Sequence, residues 1–150
     1  MSVDPGVLDA NVLVYAVEAG SPQHAASRKL IEAARDPATT LYLTSQALCE
    51  FYSVVTNPRR VAVPRSSADA AGAISVLLAL PGMRVLPTPA QAAAGWVALL
   101  KQHPVTGHDV SDLQLVATML ANGVQRIYTY NTGDFSVFPE LTVLVPPEPA

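Results

Sequence analysis

The chain reads as an α/β protein: a three-layer α/β/α arrangement with a mostly parallel central sheet. Three observations predict this. Short apolar segments recur at 7–8, 41–43, 83–86, 126–130 and 141–145. Stretches with helical spacing of apolar residues lie between them, so strands and helices alternate. The composition, with 50% hydrophobic residues, supplies enough apolar material for a core on both faces of a sheet.

Val7-Leu8 forms a first strand that ends at Asp9. Residues 10–18 and 23–35 follow as helices, and Leu41–Leu43 as the second strand. Thr44 or Ser45 then caps a helix that runs to about Thr56, where Asn57-Pro58 stops it. An Ala-rich helix spans 66–79 and begins at a serine pair. Met83–Leu86 is the third strand, and 90–102 a further helix. Ser111-Asp112-Leu113-Gln114 has the pattern of a capping box. The helix behind it carries Leu113, Val116, Ala117 and Leu120 on one face, and Asn122-Gly123 ends it. Arg126–Tyr130 and Leu141–Val145 complete the strands. A length of 150 residues predicts one domain over 1–150, with the proline-rich 146–150 as a frayed tail.

The charge balance narrows the function. Nine Lys+Arg against twelve Asp+Glu give a net charge of −3, which is not the overall charge of a non-specific polyanion binder. A single cysteine, Cys49, excludes an internal disulfide and any Cys-only zinc site, and it reads as a packing residue, as does Trp96. The first residues lack the basic region of a signal peptide, and no run of about 20 apolar residues offers a membrane span. A cytoplasmic protein is the expectation.

Four acids fall where chemistry is done. Asp9 ends the first strand, and ligands of open α/β sheets gather beyond strand C-termini. Glu50 lies among Leu48, Phe51, Val54 and Val55, where an acid is costly without a partner. Asp112 occupies the first turn of a helix, and Asp134 follows the fourth strand. Asp109 stands three residues before Asp112. Without these five, seven acids remain against nine bases, so the rest of the surface is slightly positive. Carboxylates gathered together repel one another, and a divalent cation with oxygen ligands, Mg²⁺ or Mn²⁺, resolves that repulsion. Such a site activates water and stabilises charge on a phosphodiester.

The motifs around these acids resemble those of PIN-domain ribonucleases. Leu8-Asp9-Ala10-Asn11-Val12-Leu13 resembles the opening motif, and Ser45-Gln46-Ala47-Leu48-Cys49-Glu50-Phe51 the Glu-bearing helix. Ser111-Asp112-Leu113-Gln114-Leu115-Val116-Ala117 is similar to the third motif, and Thr129-Tyr130-Asn131 with Asp134-Phe135 to the closing one. The likeness spans about residues 6–146, and members of this size are typically VapC-like toxins of toxin–antitoxin pairs. It implies a Mg²⁺- or Mn²⁺-dependent endoribonuclease with Asp9, Glu50, Asp112 and Asp134 as its acids. Asp9 and Asp112 would hold the metal, and Glu50 would position or deprotonate water or complete a second metal site. Many members place the fourth acid where this chain has Asn131, so Asn131 and Asp134 compete for that role. Asn11, Thr129 and Asn131 are supporting residues.

RNA needs positive charge, and Arg59, Arg60 and Arg65 are the candidates. Tyr52, Tyr128 and Tyr130 are available either to stack bases or to pack, and His108 to meet a phosphate or to sit in a loop. The low charge content predicts apolar surface covered by a second copy of the chain or by an antitoxin. Segments 12–35 and 41–56, through Val12, Val14, Tyr15, Leu30, Ile31, Leu48 and Tyr52, are the expected contributors. Two other readings remain: a catalytically silent α/β binding module, and a haloacid-dehalogenase-like phosphatase with Asp9 as nucleophile. The latter wants an Asp where Asn11 stands and a lysine at the site, and the chain has only Lys29 and Lys101.

Overall fold

The protein is described by a computed structural model covering residues 3–149, without the side chain of His108. Five parallel strands form one sheet: β1 (Gly6–Leu8), β2 (Leu41–Thr44), β3 (Met83–Leu86), β4 (Arg126–Tyr128) and β5 (Thr142–Leu144), in the order β3-β2-β1-β4-β5. The sheet is wholly parallel where a mostly parallel one was expected. Helices α1 (Ala10–Val17), α2 (His24–Glu32), α3 (Ser45–Val55), α4 (Ser67–Ala79), α5 (Gln91–Gln102), α6 (Val110–Ala121) and α7 (Thr132–Phe135) fill the connections.

The period-two alternation of the strands divides the core. Leu8, Leu41, Leu43 and Tyr128 face a cluster with Val12, Leu13, Leu30, Phe51 and Leu77 from α1 to α4. Val7, Leu86 and Ile127 face the opposite cluster, with Leu99, Leu113, Met119, Phe135 and Phe138. Val7 and Leu8 are both fully buried, so β1 has a helical layer on each side.

Local chemistry sets most helix ends. The Thr44 hydroxyl accepts from Ala47 N at 3.1 Å, and the Ser66 hydroxyl from Asp69 N at 3.1 Å. Gly123, at φ +70°, closes α6 with a Schellman pair: its N–H reaches Leu120 O, and that of Val124 reaches Met119 O.

Several elements differ from expectation. Helix α6 begins at Val110, directly after a 3-10 turn over Gly107–Asp109, so Ser111 is its second residue and no capping box forms. The predicted helix 23–35 is α2 followed by a 3-10 turn, Ala33–Arg35. Strand β4 stops at Tyr128, because the Tyr130 N–H turns to Asn11 Oδ1 at 3.2 Å instead of continuing the ladder. Cys49 is exposed on α3. Trp96 packs with the second cluster and donates to Val110 O at 3.3 Å. The tail starts packed rather than frayed, since Pro146 is buried.

The expected partner face is corrected as well. Val12, Val14, Leu30 and Ile31 are buried core residues, and Tyr15, Leu48 and Tyr52 are only partly exposed. The strongly exposed apolar side chains lie elsewhere, among them Val63, Val76 and Leu78 with the β3 residue Val85. Among the described residues, no helix is long and apolar enough to cross a membrane.

Candidate active site

Strand order creates the site. From β1 the chain builds outward through β2 to β3, whereas β4 and β5 are added on the other side. The order reverses between β1 and β4, and such a point opens a crevice beyond the strand C-termini. Leu8 pairs with Tyr128, so the next residues on the two strands, Asp9 and Thr129, meet there. Both are buried.

Asp9 also caps α1, its Oδ1 accepting from Ala10 N at 2.8 Å. Its Oδ2 accepts from the Thr129 hydroxyl at 2.8 Å and from Asn11 Nδ2 at 3.2 Å. Asn11 Nδ2 also donates to Thr129 Oγ1 at 3.2 Å, and the Asn131 N–H donates to the same oxygen at 3.0 Å. Asn11 thus ties the start of α1 to the end of β4 through both atoms of its amide. The web uses three of about four acceptor sites on the Asp9 carboxylate and fixes its plane.

The other carboxylates gather around this anchor. Glu50 projects from the second turn of α3, and Asp112 from the first turn of α6. Burial pushes the Asp9 carboxyl up; bonds from Thr129 and Ala10 oppose this, and the charge of Asp134 adds to it. Glu50 is pushed up by burial, eased by a bond from Gln46 and raised further by Asp9. Asp112 is raised to about 6, first by burial and then by the charges of Asp9, Asp134, Glu50 and Asp109. No Lys or Arg charge is among the causes of any of these shifts. Asp9, Glu50, Asp112 and Asp134 therefore lie within electrostatic reach of one another, and among the described residues no Lys or Arg offsets their charge.

Of the two contenders for the fourth acidic position, Asp134 carries charge that reaches Asp9 and Asp112, while Asn131 contributes its backbone N–H. Asp134 lies on the short helix α7, an element that the sequence analysis does not include.

The donor set fits a hard divalent cation. All the acids offer oxygen, and their mutual repulsion calls for positive charge. Among the described residues, no three His, Cys, Asp or Glu side chains cage an ion by themselves. Mg²⁺ does not need such a cage: it is held by one or two carboxylates and keeps several waters.

Sequence reasoning missed Gln46, whose Nε2 donates to Glu50 Oε1 at 3.3 Å and to Ser111 O at 2.7 Å. A Gln four residues before the Glu was the available signal for the first bond; nothing in the sequence signalled the second. The basic residues are divided. Arg59 and Arg60 are exposed, whereas the Arg65 guanidinium donates to Val17 O at the end of α1 and its N–H to Val55 O. The tyrosines are tied into the fold, with hydroxyls bonded to Ser67 (Tyr52), Asp4 O (Tyr128) and Ser27 (Tyr130). The His108 side chain lies outside the described residues. The phosphatase reading fails on both counts: Asn11 is the Asp9 partner, and Lys29 and Lys101 sit exposed on α2 and α5.

The raised Asp112 gives a test of this electrostatic picture. Its folded-state pKa, about 6, exceeds its ordinary 3.8, so the folded chain holds the proton more tightly than the unfolded one. Stability from this group is full below about pH 4 and is lost as pH rises through 6. Asp112→Asn should therefore raise the melting temperature of the chelator-treated protein at pH 7, by about 2–4 °C after allowance for solvent screening, and should change it little at pH 4. An equal shift at both pH values would contradict the assigned cause. Added Mn²⁺ should reverse the order, because the ion binds the ionised form.

The PIN domain model matches residues 6–141. Ribonuclease VapC43 of Mycobacterium tuberculosis is 37% identical over 119 residues, which cover 77% of this chain and 78% of the relative. Ribonuclease VapC33 of the same organism is 29% identical over 133 residues, 89% of this chain and 92% of the relative. Two solved structures share the fold. VapC20 of M. tuberculosis, described as a sarcin-ricin loop cleaving toxin, has a TM-score of 0.66 at 18% identity, covering 90% of this chain and 95% of its own. VapBC-1 of nontypeable Haemophilus influenzae has a TM-score of 0.65 at 16% identity, covering 95% and 98%. With the PIN domain model matching residues 6–141 and a relative 37% identical over 77% of this chain, the chain belongs to the PIN-domain family, alongside the VapC ribonucleases.

Proposed function

We propose that this protein is an endoribonuclease dependent on Mg²⁺ or Mn²⁺ and that it is the toxin of a toxin–antitoxin pair. The observation that carries the reading is the grouping of Asp9, Glu50, Asp112 and Asp134 beyond the β1/β4 switch point, where the charges of Asp9, Glu50 and Asp134 raise the proton affinity of neighbouring acids and no Lys or Arg among the described residues offsets them. Asp9 and Asp112 are the metal-holding residues. An ion held there supplies Lewis acidity toward a phosphodiester. Thr129 and Asn11 orient the Asp9 carboxylate. Glu50 is the general base, and its raised proton affinity supports that role because efficient bases titrate near working pH. Asp134 supplies the remaining negative charge at the rim. Arg59 and Arg60 contact the RNA backbone, and Arg65 does so less, being engaged with Val17 O. A homodimer and an antitoxin cover the exposed apolar side chains, and the antitoxin inhibits by sending an Arg or Lys to Asp9 or Asp112. A cytoplasmic location accords with that role.

The test is cleavage of a structured RNA by the purified chain. Internal cuts should appear with Mg²⁺ or Mn²⁺ and vanish with chelator. Cleavage undiminished in chelator would overturn the metal-dependent reading. Co-expression with the protein encoded beside it should give an inactive complex. A complex that retains full nuclease activity would refute inhibition at the pocket, and a strict monomer by light scattering at tens of micromolar would remove the homodimer.

A further inference from the structure

We infer that Gln46 is a positioning residue that locks the Glu50 carboxylate to the first turn of α6, the turn that carries Asp112. The inference deepens the ribonuclease reading and rests on it.

Both partners of Gln46 Nε2 are acceptors only: a carboxylate oxygen, Glu50 Oε1 at 3.3 Å, and a backbone carbonyl, Ser111 O at 2.7 Å. The amide orientation is therefore determined, since a flipped amide would set its oxygen against two acceptors. Both Nε2 hydrogens are committed, one to each side of the bridge. The two acceptors lie on different helices: Glu50 is one turn along α3 from Gln46, while Ser111 immediately precedes Asp112 on α6.

The consequence is geometric. Helices α3 and α6 contribute their apolar residues to different core clusters, on opposite faces of the sheet, so a polar bridge between them fixes their acids more directly than the core does. Glu50 and Asp112 also repel each other. The bridge opposes that repulsion directly and restricts the Glu50 side chain, which has three rotatable torsions of its own. A donor that fixes a reactive carboxylate from behind costs about ten- to a hundredfold in metal affinity or rate when removed.

The experiment compares wild type, Gln46→Met, Glu50→Gln and the double variant in single-turnover RNA cleavage and in calorimetric Mn²⁺ binding. Met fills the same space without donors, and Gln46→Asn serves as a second variant whose shorter arm cannot span both acceptors. Gln46→Met and Gln46→Asn should each lower kcat about tenfold with KM for RNA within about twofold, and should weaken Mn²⁺ binding several-fold. In the Glu50→Gln background, Gln46→Met should lower kcat by less than about twofold further, because residues acting as one unit are not additive. A full tenfold loss in that background, a loss confined to KM, or wild-type kcat in both single variants would overturn the inference. If the wild-type protein cleaves no RNA, the ribonuclease reading fails, and unchanged Mn²⁺ affinity in Gln46→Met then overturns the positioning role separately.

Discussion

Asp9→Asn is expected to lower RNA cleavage by at least about a hundredfold while leaving the fold in place. The loss exceeds that for removing a supporting donor, about ten- to a hundredfold, because Asp9 is itself the anchoring acid in the proposed site. The fold should survive for two reasons. Asn caps helices about as well as Asp, so α1 keeps its start. The substitution also removes a buried negative charge whose proton affinity is already raised by burial. Its cost is one mismatched hydrogen bond, since an amide cannot accept at both Ala10 N and the Thr129–Asn11 pair. Cleavage rates measured beside thermal melts check this. A variant that melts normally and keeps half its activity would remove Asp9 from the mechanism.

Gly82→Ala should be the most damaging small substitution outside the site. A Cβ at this position would stand 2.6 Å from Thr39 O, 2.8 Å from Asp36 O and 3.0 Å from Ala34 O. All three are backbone atoms, so no side chain can swing aside. Gly82 is also hydrogen-bonded on both sides, its N–H to Ala34 O at 2.7 Å and its O from Leu41 N at 2.9 Å. Overpacking together with the loss of one such bond costs about 3–4 kcal/mol, a fall in melting temperature of roughly 6–16 °C for a chain of this size. Gly72→Ala is the matched control. It lies inside α4 with no atom within 4 Å of the point where the added methyl would stand, and it should stabilise by about 0.5–1 kcal/mol. Melting curves that rank the two variants the other way would discard the steric argument.

The strands, and the places of the candidate acids along them, were legible because local patterns specify them. Met83–Leu86 and the Thr44 cap depend only on nearby residues and stand where the sequence predicts. Asp9 follows a strand end, Asp112 sits in the first turn of α6 and Glu50 in the second turn of α3, and sheet order brings them near one another. What escaped prediction depends on distant partners. Tyr130 leaves β4 because Asn11, at the start of α1 after the neighbouring strand, offers it an acceptor 119 positions away in sequence. Gln46 gains its second bond from a residue 65 positions away. Arg65, read as free basic charge, is committed to a carbonyl 48 positions away. Of the apolar residues expected to face a partner, Val12, Val14, Leu30 and Ile31 are core, because periodicity shows that a helix has an apolar face but not what covers it.

The bond between Thr129 and Asp9 spans 120 positions of sequence. A ribosome making this chain would release Asp9 first and Glu50 soon after, yet the strand beside β1 that completes the crevice begins only at Arg126. At ordinary translation speeds the interval is on the order of ten seconds. During it the nascent chain carries its first two acids without the hydroxyl that orients Asp9 or the charge of Asp134. A polypeptide stalled or cut before residue 126 should therefore be inert, whatever its concentration. The order in which the fold is synthesised thus acts as a delay: hydrolytic capacity appears only after Thr129 has joined Asp9.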